Sequence, residues 1–395
     1  MAEAEHFIAK HPDRADGYNA LATALARRAR ETADTSFYER AETALDKSLA
    51  AAPANYEGRK TRVWVLLGRH EFARAYDEAK VLNKETPDDV LVYGYLADAA
   101  VELGRYEEAE RAVQWMLDLR SGNVPGLTRA AYLRELFGDH EGAIELMQQA
   151  YKRTAPAELE DRAWIAVHIA QLELARGRLE PAEKLIDHAL ELFPGYHYAI
   201  GTRAALRTQQ RRYDDALTAR RWHYAAAPHP ENVYLLGLAA AKAGRAQEAR
   251  AAFSEFETAA LAESRGVDNA NRELAFYFVD HARAPRKALA IAELEAARRQ
   301  DVVTLDALAW SLSANGRHTE ARAAIDRALA VGVRDAAMLH RAGVIAQRGG
   351  DRVAARRHFE ASLEVNPRSE VAASVRRALG GAREPGPKRV AAVAR

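Results

Sequence analysis

An all-α solenoid is the fold class this sequence predicts, on three observations. Alanine returns as Ala109, Ala143, Ala182, Ala216, Ala249, Ala288, Ala321 and Ala355, at intervals of 34, 39, 34, 33, 39, 33 and 34 residues. A glycine stands five residues before most of them: Gly104, Gly138, Gly177, Gly244, Gly316 and Gly350. Twelve residues after the alanine a proline often follows, as Pro53, Pro194, Pro228 and Pro367 do. A period of about 34 residues over a long chain marks stacked helical units, because one helix pair alone cannot bury its apolar face.

Each element has a local cause. Residues 1–15 contain "HFIAKHPDR", which reads as the close of a second helix with its proline, Pro12. That segment is a partial repeat or cap, or the remainder of a longer chain. Ten units then start near Asp16, Tyr56, Val90, Val124, Ala163, His197, Pro230, Asn269, Val302 and Ala336, and fill residues 16–367. The glycine marks a turn where left-handed backbone is needed, and Arg211 and Arg283 take its place in two units. The alanine marks a close helix–helix contact, and the proline stops the second helix.

Three stretches exceed the period: "RRARETADTSF" in the first unit, "APAELED" near Pro156, and a segment ending in "AESRGVDNANR". They are expected as loops at the solenoid edge. The unit around Trp64 is out of register at "GRHEF". Residues 368–381 read as a C-terminal cap helix, with Ser369 as its N-cap and Gly380 and Gly381 as its stop. Residues 382–395, basic and carrying Pro385 and Pro387, read as a disordered tail.

The order of small residue (Ala97, Ala131, Ala170, Ala204, Gly237, Ala309, Gly343), turn glycine, second-helix alanine and closing proline resembles the tetratricopeptide repeat family. The resemblance covers nearly the whole chain and implies helix–turn–helix units in a right-handed superhelix, with first helices lining the concave face. The text from Leu305 to Pro367 resembles bacterial members, some of them exported. Some members bind acidic carboxyl termini through a clamp of lysines and asparagines. At the matching slots this chain has Asn19, Thr23, Gly94 and Asp98, so that activity is not expected.

Helical periodicity places one set of first-helix side chains toward the groove. It contains Tyr132, Trp164, Val167, His168, Gln171, Tyr198, Tyr234, Tyr277, Asp306, Trp310, His340 and Gln347. Tyrosine and tryptophan offer large contact area at little entropic cost, so these residues predict a groove for a protein or peptide segment. Substituting Trp164 or Trp310 by alanine is then expected to weaken binding without unfolding the array. Glu273, Asp280 and His281 fall in the same face and are raw material for a divalent metal, but without a tight ligand spacing.

Composition narrows the classes further. Against 57 basic residues stand 56 acidic ones, and no broad basic stripe argues for nucleic acid. There is no cysteine, no phosphate-binding glycine loop and no nucleophile elbow. No apolar run is long enough to span a membrane. The reading is a non-enzymatic binding scaffold without a cofactor. Self-association, or metal or small-molecule binding at the C-terminal end of the groove, are the alternatives. The compartment stays open: cytoplasmic, or exported if a signal segment once preceded residue 1.

Overall fold

The structure, a computed structural model, describes residues 1–380. These residues form helices throughout, and among them there is no strand. A lone helix, α1 (Ala2–Lys10), precedes ten antiparallel pairs. The first five pairs are α2 (Ala15–Thr32) with α3 (Ser36–Ala51), α4 (Tyr56–Gly68) with α5 (Phe72–Glu85), α6 (Val90–Glu102) with α7 (Tyr106–Leu119), α8 (Val124–Leu136) with α9 (His140–Arg153), and α10 (Leu159–Ala175) with α11 (Leu179–Leu192). The other five are α12 (His197–Gln209) with α13 (Tyr213–Ala226), α14 (Pro230–Lys242) with α15 (Ala246–Glu263), α16 (Asn271–Asp280) with α17 (Pro285–Ala296), α18 (Val302–Ala314) with α19 (His318–Ala330), and α20 (Ala336–Arg348) with α21 (Arg352–Val365). A short helix, α22 (Ala372–Ala378), closes the described chain.

The helices start and pack for visible reasons. Asn55, Asp89, Asn123, Asp139, Asp301, Asp335 and Asp351 each accept hydrogen bonds from first-turn backbone N–H groups. The second helices are amphipathic: α11 buries Ala182, Ile186 and Ala189, one stripe of its surface. First helices such as α18 are buried nearly all round, because they pack on partner helices from both sides. The recurring alanines are buried, and the small residues Gly237 and Gly343 of α14 and α20 lie beneath the rings of Phe253 and Phe359.

The array coils tightly enough to touch itself. A set of hydrogen bonds and ion pairs joins residues 192–198 positions apart, which is about five and a half repeats. Ten repeats therefore make nearly two superhelical turns, stacked directly. The turns inside helix pairs of repeats one to five face the segments that follow repeats six to ten. His229 donates through Nε2 to the Ala33 carbonyl. His197 donates to the Arg30 carbonyl at 3.2 Å. His70 meets Asp268 at 3.0 Å. The Gln300 N–H donates to the Glu102 carbonyl at 2.9 Å, and the Asn366 amide to the Leu174 carbonyl at 2.9 Å. Arg299, almost wholly buried, bridges Glu295 at 2.7 Å and Glu102 at 3.2 Å. Apolar packing backs this seam, since one continuous core holds Val63, Leu66 and Ala97 together with Val302, Leu305 and Ile345.

The over-long stretches are not idle loops, which corrects the sequence expectation. The first extends α2 to eighteen residues and carries Arg30 to the ion pairs with Glu160 and Asp161. Those two carboxylates belong to the second stretch, which begins the long helix α10. The third lengthens α15 and supplies Asp268, while Arg298 donates to the carbonyls of Ser264 (3.2 Å) and Arg265 (2.6 Å) to hold that segment. Extra residues became the clasps between superhelical turns. At the carboxyl end Val371, not Ser369, is the N-cap of α22. The tail expected over 382–395 lies outside the described residues.

Candidate binding channel

First helices line the inside of the coil, and polar pairs tie each to the next. On α8, Arg129 reaches back to Asp98 of α6 through two nitrogens, at 2.6 and 2.8 Å. His168 of α10 meets Glu135 of α8 at 3.0 Å. Gln171 of α10 donates to Thr202 of α12 at 3.2 Å. In the second turn Trp310 of α18 donates to Asp280 of α16 at 2.9 Å, and Arg341 of α20 takes Asp306 in a fork. A row of such pairs fixes the angle between neighbouring repeats and so the curvature of the wall.

Of the sequence-derived groove residues, Tyr132, Tyr198, Trp164, His168, Gln171, His340 and Gln347 keep open surface. Tyr132 is 39% exposed and Tyr198 38%, and Trp164 and His168 are partly open with their rings stacked 5.5 Å apart. Both tyrosine hydroxyls are nonetheless held above their ordinary pKa. Burial is the leading cause for each, followed for Tyr132 by the carboxylates Glu102 and Glu135. A side chain that water reaches but protein surrounds stands in a concavity. For Arg129, burial works against the charge, but Asp98 outweighs it and holds the guanidinium above its usual value.

The other expected anchors are inside the protein. Tyr234 is 7% exposed and lies among Phe253, Phe256 and Tyr277. Tyr277 is 8% exposed and donates to Glu257 at 3.0 Å, so it faces α15 rather than the channel. Trp310 is 7% exposed, under Arg348 and bonded to Asp280. Asp306 is buried against Arg341, and Val167 is buried as well. These positions fill the spaces between helices, and Trp310→Ala would cost packing and a hydrogen bond rather than a free contact. His340 is half-buried, its ring 6.0 Å from that of Phe359.

The carboxylate and histidine set does not assemble. Glu273 is in the first turn of α16, whereas Asp280 and His281 are at its far end. Asp280 is engaged by Trp310, and His281 packs on Phe253 at 4.6 Å. Among the described residues no group of three or more histidine or acidic side chains is placed to hold a metal ion. The clamp slots are equally spoken for: Asn19 accepts from Ser48 at 2.7 Å, and Asp98 neutralises Arg129. Sequence reasoning missed the histidines behind the seam. His197 and His223 are buried beside His229 and Arg220, and His223 lies over Gly201.

No protein-family profile and no curated protein sequence matches the chain. Solved structures do. A chain of the APC/C hetero-tetramer Cut9-Hcn1 aligns over 75% of this chain with a TM-score of 0.51 and 14% identity. This chain spans 58% of the length of that neighbour. A monomeric mutant of human IFIT1 with Gppp-AAAA aligns over 83% of this chain and 79% of its own, with a TM-score of 0.50 and 14% identity. The fold is that of a tetratricopeptide-repeat solenoid. At such identities the likeness concerns the fold alone. Among the described residues no helix is long and apolar enough to cross a membrane.

Proposed function

We propose that this solenoid is a non-enzymatic scaffold that holds a segment of a partner protein inside its channel. One observation carries the reading: Tyr132 and Tyr198, large aromatic side chains on the first helices α8 and α12, stand open to solvent. Trp164 and His168 lie between them along the array, on α10. Amphipathic rings in a concavity suit a polypeptide, whose backbone takes the hydroxyl and imidazole hydrogen bonds and whose side chains take the faces. The inner arginines favour the same class. Arg129, Arg30 and Arg341 are each committed to carboxylates of the chain itself, which leaves the wall short of the unpaired cations a phosphate backbone requires.

The test is a photo-crosslinking amino acid at position 132, with a control at Trp222 on the outer face, where 67% of the residue is exposed. In cells of the native host, position 132 is expected to capture a discrete polypeptide that Trp222 does not, and Trp164→Ala is expected to reduce that capture about tenfold. Equal capture at both positions, or capture only of nucleic acid, contradicts the reading. Capture of a second copy of the chain would replace it with self-association.

A further inference from the structure

The edge made by the turns within helix pairs is covered by second-turn polypeptide from Ala33 to Gly177, and then the cover ends. Beyond Gly177 the segment around α22 overhangs the turns of repeats five to seven, leaving a notch of about 1210 Å³. Arg211, Lys242, Arg368, Arg376 and Arg377 line it against one carboxylate, Glu370. The chain as a whole balances 57 basic against 56 acidic residues, so positive charge is concentrated here. Lys242 is paired with Glu370 at 3.0 Å. Arg376 spends one nitrogen on the Pro367 carbonyl (2.8 Å) and Arg377 one on Ser374 (2.9 Å), so each guanidinium keeps donors in hand. The Arg368 side chain makes no hydrogen bond or ion pair among the described residues and is exposed.

Two properties fix what such a notch takes. The same edge, one repeat earlier, already receives polypeptide: the Asn366 side chain donates to the Leu174 carbonyl where the cover ends. The notch also has an apolar side, formed by Leu179, Tyr213 and Leu379. Aliphatic side chains fill such a wall, and a phosphate backbone does not. We propose that the notch docks an acidic segment of a partner protein, lying along the edge as a continuation of the seam, with its carboxylates on Arg368, Arg376 and Arg377. This surface is on the rim of the coil and is separate from the channel. Arginine forks match carboxylates in two-point geometry, and at an exposed site their hold weakens with salt.

The test is fluorescence anisotropy with a labelled ten-residue peptide of eight acidic residues and two leucines. The controls are its glutamine counterpart and a ten-nucleotide oligothymidine. The acidic peptide is expected to bind, to weaken about tenfold between 50 and 300 mM NaCl, and to weaken at least tenfold in the double variant Arg376→Glu/Arg377→Glu. The single variant Arg368→Glu, at an exposed side chain without partners, is expected to weaken it several-fold and serves if the double variant does not fold. Absence of binding, equal binding of the glutamine peptide, or an affinity unchanged in Arg368→Glu overturns the proposal. Tighter binding of oligothymidine overturns the ligand class. Wild-type and Tyr132→Ala proteins are expected to bind the peptide alike, which separates this site from the channel.

Discussion

The turns within helix pairs look alike in the two halves of the coil and do different work. Gly138 in the first superhelical turn and Gly316 in the second both take left-handed backbone, with φ of 82° and 75°. A side chain on Gly316 would meet nothing within 4 Å. On Gly138 it would lie 2.5 Å from the Gly332 carbonyl oxygen, and Gly104 and Gly177 are crowded in the same way by Gln300 and Asn366. The same residue at the same slot thus answers a backbone demand in one half and both a backbone and a packing demand in the other. Contact between superhelical turns, not the repeat, makes the difference.

That contrast sets the sizes of the expected effects. Gly138→Ala is expected to cost about 2–4 kcal/mol, from left-handed strain plus collision with backbone that cannot move aside. It lowers the denaturation midpoint and loosens the seam, read as faster amide exchange at Gln300 and Gly332. Gly316→Ala, with strain alone, is expected to cost about 1 kcal/mol and leave those amides protected. Equal costs would break the comparison.

Between them in size is an effect of pH. Burial, and after it Arg220, press the His223 imidazole down to about 3. The unfolded chain takes up that proton near 6.5, so the stability of the neutral ring is whole above about 6.5 and drains as pH falls toward 3, by about 2 kcal/mol at pH 5. His197, lowered for the same leading reason, adds in the same direction. Between pH 7.5 and 5 the wild type is expected to lose stability that His223→Gln retains, measured as denaturant midpoints at both values. Parallel slopes in the two proteins would contradict it.

The repeat was legible in the sequence because its signals are local. A turn residue, a small contact residue and a stop recur within each unit and need no knowledge of distant chain. The seam was not legible, because pitch is the sum of small rotations between neighbours and its contacts join residues nearly 200 positions apart. The three over-long stretches were visible, but nothing local distinguishes a spare loop from a clasp. For the channel, one residue of rotation decides. Tyr132 follows the small residue Ala131 and faces inward, whereas Tyr234 and Tyr277 turn toward α15 and are lost to the core. A helix advances about 100° per residue, so a reading by spacing alone cannot separate those faces.

Closure of the coil is the claim on which channel, seam and notch depend, and the chain offers a clean way to measure it. It has no cysteine, so spin labels at Thr35→Cys and Ala226→Cys report one distance across the seam beside Ala33 and His229. Stacked turns predict a single narrow distribution below about 25 Å, since each label is only two or three residues from the contact. A broad distribution centred beyond about 35 Å would mean an open spring and would contradict the account.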